Sequence, residues 1–94
     1  MPPCAIDFTS RFVSQARALS KDQRGELELV LQRLSTAFGQ PHAHSGLGIR
    51  RLRGNYLECR LGRDQRAVFK YDGSTLMMVL LGNRNDVRKF IKNL

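Results

Sequence analysis

Arginines that recur through the second half of the chain, together with one glutamate, are the side chains best suited to chemistry. Arg60 and Arg66 lie on two consecutive apolar-rich stretches, and Arg84 follows a third. Glu58 comes two residues before Arg60, so both side chains share one face if this stretch is a β-strand. A guanidinium stays charged, and its planar fork binds two phosphate oxygens at once. The pattern therefore predicts a basic sheet face for a phosphate-bearing partner, with Glu58 as its one carboxylate.

The histidines and cysteines are the other candidates for chemistry. His42 and His44 fall in the one long loop, residues 39–48. A His-x-His pair can bind a metal, and a single histidine can exchange protons. Combined with Cys4 and Cys59, however, the spacing matches no standard metal-binding pattern. We therefore expect no metal site, free thiols in a reducing compartment, and His44 as a candidate acid or base.

The net charge of +8 is concentrated in the second half of the chain. Residues 49–94 hold eleven Arg and Lys against four Asp and Glu, whereas residues 1–48 hold five against four. Such asymmetry favours a polyanionic partner for the second half, either nucleic acid or an acidic protein segment. The alternative is a solvated basic surface that only keeps the protein in solution.

Length and composition indicate one globular domain spanning residues 1–94, with a modest core. The hydrophobic fraction of 41% and the charged fraction of 26% are typical of a globular protein. No window holds the roughly eighteen apolar residues that a membrane span needs. The first residues lack the basic and apolar regions of a signal peptide. We therefore expect a cytoplasmic protein with no membrane partner.

The first half of the chain predicts a short strand and two helices. Residues 5–8 form an apolar stretch, and Thr9 or Ser10 can cap the helix that follows. Ser20 and Gln23 fit a capping box for a second helix, which ends at Gly39. Residues 9–38 should therefore form an antiparallel helix hairpin that buries one shared apolar side.

The second half predicts consecutive antiparallel strands and a last helix. Residues 56–61, 66–71 and 76–81 are short apolar-rich stretches bounded by Gly, Asn or Asp. Asp72-Gly73 is a strong hairpin signal. Asn85 or Asp86 can cap a short C-terminal helix. The fold class is therefore α+β, with the helix hairpin packed on a twisted antiparallel sheet of about four to five strands formed by residues 49–82.

Several segments, in this order, resemble the RelE/ParE superfamily of bacterial toxins from type II toxin–antitoxin modules. They are Leu52-Arg53-Gly54, residues 56–60, residues 66–69 and residues 81–87. The resemblance extends from Ile6 to Phe90. No single segment is specific to the family, but the four segments in this order and at these spacings are. It implies a compact α+β toxin with a basic active site on the sheet side opposite the helices. RelE-like members cleave messenger RNA, typically in the ribosomal A site, whereas ParE-like members poison DNA gyrase and cut no RNA.

The resemblance also implies roles for particular residues. Metal-free RNA cleavage needs a base for the 2′-OH, an acid for the 5′ oxygen, and cations for the phosphorane. Arg60, Arg66 and Arg84 look like the basic residues of RelE-like active sites, and Glu58 is the candidate general base. The expected RNA-binding residues are Arg51, Arg53, Lys70 and Arg88. No cofactor is expected.

The chain departs from the RNA-cleaving pattern near its C-terminus. Several RNA-cleaving members carry a histidine or tyrosine there as the acid. This chain has Asn83, Arg84 and Asn85 in the first region and Phe90 in the second. Three alternatives follow: the reaction depends on the ribosome or substrate for help, His44 supplies the proton, or the protein is not a nuclease. The alternatives are a ParE-like gyrase inhibitor and an inactive relic that only binds antitoxin.

The expected partners follow from the same resemblance. A cognate antitoxin encoded by a neighbouring gene should carry an acidic, amphipathic segment that folds on binding. The ribosome and messenger RNA are the expected targets, and DNA gyrase is the alternative target.

Overall fold

The computed structural model describes residues 4–37 and 47–94. Their elements, in chain order, are β1 (Ala5–Phe8), α1 (Ser10–Arg17), α2 (Lys21–Ala37), β2 (Arg50–Arg51), β3 (Tyr56–Leu61), β4 (Gln65–Tyr71), β5 (Thr75–Gly82) and α3 (Arg84–Lys92). The predicted α+β class, helix hairpin and C-terminal helix are confirmed. His42 and His44 lie outside the described residues, as does the predicted helix stop at Gly39. No helix of the described ranges has the length and apolar character needed to cross a membrane.

The five strands form one mixed sheet in the order β1-β5-β4-β3-β2. β2, β3, β4 and β5 pair antiparallel, as residues 49–82 predict. β1 instead lies parallel to β5, with Ile6 opposite Leu76. Alternation along β1 identifies a strand, but it carries no information about the direction of a neighbour about seventy residues later.

The helix hairpin covers one face of the sheet. Phe12, Leu27 and Leu34 pack there against inward side chains of the central strands, among them Phe69 and Leu76. All five are nearly inaccessible to water, and each such burial contributes about 1.5–3 kcal/mol. This is the packing that the apolar stripes of the two helices predict.

Helix α3 covers part of the opposite face, which the sequence pattern left to solvent or ligand. Val87 packs on Val68 and Leu80, and Phe90 and Ile91 flank this smaller cluster. Val68 is completely buried as a result. The interpretation of this face as open was therefore too simple, because a one-strand pattern does not show which later element docks on it.

Side-chain hydrogen bonds cap the N-termini of the three helices. Thr9 accepts the backbone N–H of Phe12 and caps α1, as predicted. Ser20 and Gln23 exchange both hydrogen bonds of the predicted capping box. At α3 the predicted cap, Asn85 or Asp86, is wrong. Asn83 is the N-cap and exchanges reciprocal bonds of 2.9 Å with Asp86. The Asn-x-x-Asp spacing carries this signal.

Asp72 and Gly73 form the β4–β5 turn. The carboxylate of Asp72 accepts the backbone N–H groups of Ser74 at 3.0 Å and Thr75 at 2.8 Å. Gly73 has φ +96°, a backbone conformation that a side chain would strain. The hairpin signal in the sequence is thereby confirmed.

Candidate functional site

A groove of about 580 Å³ lies between α3 and the β2–β3–β4 side of the sheet. We call it the Glu58 groove. Six cationic side chains, one carboxylate and three apolar side chains line it: Arg50, Arg51, Leu52, Glu58, Arg66, Arg84, Val87, Arg88, Ile91 and Lys92. This strong excess of positive charge suits a polyanion.

Helix α3 supplies two of the groove's features through its 3.6-residue period. Arg84, Arg88 and Lys92 recur every four residues and form a cationic stripe along the groove. Val87 and Ile91, also four apart, belong to the stripe that packs on the sheet. Like charges at this spacing destabilise a helix by about 0.2–0.5 kcal/mol per pair. A bound anion would reduce this repulsion.

Glu58 lies at the floor of the groove as a buried carboxylate between two arginines. Its side chain is 2% exposed, and Oε1 lies 3.1 Å from Arg50 Nη2 and 3.5 Å from Arg66 Nη1. Its other oxygen, Oε2, has no hydrogen-bond partner among the described residues. Strand register produces this cluster. Arg50 is the β2 partner of Glu58, and Arg66 on β4 is opposite Arg60, two residues along β3 from Glu58.

This geometry makes Glu58 an anchor for arginines. A general base must approach its proton donor to within about 2.6–3.2 Å. Oε1 is occupied by guanidinium groups, and Oε2 is closed off from solvent. In this conformation the carboxylate therefore holds Arg66, which is 22% exposed, with its charge available to the groove. Its predicted role as a base stays a prediction.

Five of the predicted site residues converge on the Glu58 groove. Arg66 and Arg84 reach it from β4 and α3, and Arg51 and Arg88 extend its wall around Glu58. These residues come from four elements, β2, β3, β4 and α3, which meet only in the folded chain.

The other predicted residues do not line the groove. Arg60 is the direct cross-strand partner of Arg66, but its side chain lies against Gly48 at the β2 side. Like charges directly opposite each other repel, which favours this separation of the two side chains. Arg53 donates from Nη1 to the carbonyl of Ile91 at 3.5 Å. Lys70 Nζ lies 4.7 Å from the centre of the Tyr56 ring. Their roles stay predictions.

Two cationic lining residues were missed in the sequence. Arg50 can be identified as a groove residue only when the pairing of β2 with β3 is known, because that pairing places it opposite Glu58. Lys92 had a visible signal, since it continues the four-residue spacing of Arg84 and Arg88.

Proton donors and metal ligands were sought within residues 4–37 and 47–94. No histidine or tyrosine lines the groove there. Tyr56 packs edge-to-face on Phe90, with ring centres 5.1 Å apart. No group of three His, Cys, Asp or Glu side chains in these ranges comes together as metal ligands would. Burial raises the pKa of the Cys59 thiol to about 12, so this cysteine is no nucleophile.

Comparison with solved structures relates this fold to toxins. The RelE–RelB complex of Pyrococcus horikoshii OT3 matches with a TM-score of 0.70 at 16% identity, over 87% of this chain and 96% of that one. The RelB–RelE complex of Methanococcus jannaschii gives 0.67 at 17% identity, over 89% and 96%. A YoeB/ParE toxin from Agrobacterium tumefaciens gives 0.64 at 16% identity, over 85% and 98%.

These likenesses show that the chain has the same fold as the RelE and YoeB/ParE toxin structures. No protein-family model matches the sequence, and no curated protein matches it significantly.

Proposed function

We propose that this protein is the toxin of a type II toxin–antitoxin pair and acts as a metal-independent endoribonuclease on messenger RNA in the ribosome. The observation that carries the proposal is the convergence of Arg66 and Arg84 on a groove with six cationic side chains, within a toxin fold. Arginine binds a phosphate through two oxygens, and that charge-assisted contact strengthens as charge develops in the transition state. A target on translating ribosomes places the protein in the cytoplasm.

The proposed reaction is attack of a ribose 2′-oxygen on the adjacent phosphorus, with departure of the 5′-oxygen. The 2′-oxygen gives its proton to a base supplied by the ribosome or by solvent water and forms a bond to phosphorus. The P–O5′ bond breaks and the 5′-oxygen takes up a proton, giving a cyclic phosphate and a 5′-hydroxyl. Arg66, anchored by Glu58, and Arg84 hold the phosphate oxygens as they gain charge. Arg51, Arg88 and Lys92 hold neighbouring backbone phosphates. The proton that the 5′-oxygen needs comes from the ribosome, from the substrate or from His44.

Poisoning of DNA gyrase is the second candidate function. It is favoured by the groove lining, which contains no histidine or tyrosine among the described residues, and by the occupied oxygen of Glu58. An inhibitor that only binds its target needs no proton donor, and the same groove offers it a basic docking surface. A relic that only binds antitoxin is the remaining alternative.

Mapping transcript 5′ ends after induced expression separates the three functions. New ends inside translated codons, dependent on ribosomes, are the result we expect. Intact transcripts with an SOS response would establish gyrase poisoning in place of RNA cleavage. Normal growth with intact transcripts and no SOS response would identify the relic. An Arg66→Ala variant with native circular dichroism is the matched control, since it retains the fold and loses one groove cation.

We also propose a cognate antitoxin as the partner that silences the protein. RelB and DinJ are bound in solved complexes of similar toxins. On this chain, an apolar depression along α1 and α2 is lined by Phe8, Phe12 and Leu31 and flanked by Arg17 and Arg24. An amphipathic helix with an acidic rim complements this surface.

Salt titration of the complex tests where the antitoxin binds. Contact with the Glu58 groove predicts binding that weakens steeply between about 0.1 and 1 M salt, because exposed charge pairs are screened. Binding that is insensitive to salt would place the antitoxin mainly on the apolar depression. A gene with no small neighbouring reading frame would contradict the toxin–antitoxin assignment.

A further inference from the structure

Two arginines share the buried carboxylate of Glu58 unequally. Its Oε1 atom lies 3.1 Å from Arg50 Nη2 and 3.5 Å from Arg66 Nη1, and its Oε2 atom has no hydrogen-bond partner among the described residues. The shorter contact belongs to Arg50, although 73% of that side chain is exposed, against 22% for Arg66. The better buried arginine therefore makes the longer contact with a buried carboxylate.

This arrangement leaves Arg66 short of the pairing that its side chain allows. A guanidinium can donate two parallel N–H groups to the two oxygens of one carboxylate, with N···O distances of about 2.7–2.9 Å. Such a pair between Arg66 and Glu58 would give Oε2 a partner, and an unpaired buried oxygen is unfavourable. Arg50 already occupies Oε1, so it competes with Arg66 for this carboxylate.

The competition decides which guanidinium keeps its charge for a ligand. One carboxylate neutralises one guanidinium, so Glu58, Arg50 and Arg66 together retain one net positive charge. Attraction between charges falls with distance, so the contact at 3.1 Å neutralises Arg50 more fully than the contact at 3.5 Å neutralises Arg66. Arg66 thus faces the groove with most of its charge, and it does not have to leave a neutral pair when a phosphate binds.

We propose that Arg50 is a positioning residue that keeps Arg66 available for the phosphate by competing with it for Glu58. Without Arg50, Arg66 closes onto both oxygens of Glu58, and its charge is neutralised inside the protein. Strand pairing builds this competition into the fold, because it places Arg50 directly opposite Glu58. The inference rests on the proposed function for its effect on cleavage, and it gives Arg50 a role other than binding the RNA backbone.

Crystal structures of the wild-type protein and of Arg50→Ala, grown under the same conditions, test the exchange of partners without any cleavage. In the variant, the Arg66 guanidinium should donate to both oxygens of Glu58 at about 2.7–2.9 Å. An Arg66 side chain that occupies the same position in both structures, with Oε2 unpaired, would overturn the proposal.

Single-turnover cleavage on programmed ribosomes separates the maximal rate from the half-saturating protein concentration. Arg50→Ala should lower the maximal rate by about fivefold or more, the factor that one exposed ion pair can produce, and by less than the loss of Arg66 itself. Arg50→Lys keeps a cation beside Glu58 and should recover most of this rate. Arg51→Ala removes a groove cation that makes no ion pair with Glu58 in the described part of the chain, so it should mainly raise the half-saturating concentration.

Second-site rescue distinguishes this competition from a loss of structure or of RNA binding. Glu58→Gln keeps an oxygen that can accept a hydrogen bond from Arg66, but it removes the charge that neutralises the guanidinium. Adding Glu58→Gln to Arg50→Ala should therefore raise the maximal rate above that of Arg50→Ala alone. If Arg50 only bound RNA, or only supported β2, the second substitution would bring no recovery.

The outcomes that contradict the proposal are distinguishable from failure of the proposed function. A wild-type maximal rate in Arg50→Ala, or a lowered rate that Glu58→Gln does not raise, overturns the role of Arg50 and leaves the proposed function standing. Absence of cleavage by the wild-type protein overturns the proposed function and, with it, the role of Arg50 in cleavage. The two crystal structures still decide in that case whether Arg66 exchanges partners.

Discussion

Glu58→Met should separate stability from activity. Glu58 is buried with one oxygen unpaired, and an unpaired buried polar atom costs about 1–3 kcal/mol. Its contact with Arg50 contributes little, about 0–1 kcal/mol, because the Arg50 side chain is 73% exposed. Its contact with Arg66 is longer, at 3.5 Å. Glu58→Met removes both the unfavourable unpaired oxygen and the favourable contacts with the two arginines. The free energy of unfolding should therefore stay within about 1 kcal/mol of wild type, as is often found when an apolar residue replaces a buried ionic group.

The difference in free energy of unfolding between Glu58→Met and Glu58→Ala provides a second check of this reasoning. Methionine has a volume similar to glutamate and can pack with Val68 and the apolar wall of the groove. Alanine leaves a cavity, so this variant should be less stable than Glu58→Met by about 2 kcal/mol. In a domain of this size, that difference lowers Tm by roughly 8–16 °C.

Urea unfolding monitored by circular dichroism gives both free energies, and single-turnover cleavage gives the activity. Glu58→Met should lose activity because Arg66 is no longer held, while RNA binding is kept through the remaining cations. Glu28→Met, an exposed substitution on α2, should change neither quantity appreciably. A loss of more than about 3 kcal/mol in Glu58→Met would refute the reasoning, since the carboxylate would then be a net source of stability.

Three further predictions concern the scaffold. Cys59 should resist alkylation in the folded protein because burial raises its pKa to about 12, whereas the partly exposed Cys4 should react, as mass spectrometry can show. Backbone N–H groups, those of Ser74 first, lower the pKa of the Asp72 carboxyl. The stability that Asp72 adds over Asp72→Ala should thus be full above about pH 4, its ordinary carboxyl range, and disappear at lower pH in urea titrations. Asn83→Ala should cost about 1 kcal/mol in the same assay through loss of the α3 cap. Equal alkylation of Cys59 and Cys4 would contradict the first prediction. The second would be contradicted by a stability difference between wild type and Asp72→Ala that does not change with pH, and the third by an Asn83→Ala variant as stable as wild type.

The fold was largely predictable because its signals are local. Alternation of apolar residues, the Asp72-Gly73 turn and the capping box at Ser20 each act over a few residues. The direction of β1 was not predictable, since its partner Thr75 lies seventy residues later in the chain. The packing of α3 on Val68 was missed for the same reason, because it depends on two elements that are distant in the sequence and dock only in the folded chain.

The sequence predicted which types of residue form the candidate site, but it predicted their arrangement only in part. Strand alternation placed Arg60 and Arg66 on one face, and register confirms that they are opposite each other. In the folded protein Arg66 pairs with Glu58, whereas Arg60 lies against Gly48, and alternation along a strand cannot predict such side-chain partners. The ion pair of Glu58 with Arg50 was likewise not predictable, because Arg50 lies in β2, a two-residue strand with almost no sequence pattern of its own.

Single-turnover cleavage of messenger RNA on programmed ribosomes tests the central proposal most directly. The proteins to compare are wild type, Arg66→Ala, Arg84→Ala and Arg33→Ala, with folding and antitoxin binding verified for each. Arg33 is an exposed arginine of α2, the helix on the opposite face of the sheet, and its loss should leave the rate unchanged. Loss of Arg66 or Arg84 should lower the rate on the order of 10²–10³, the usual cost of one contact to developing charge. Wild-type rates in both groove variants would contradict the assignment of the Glu58 groove as the site of RNA cleavage.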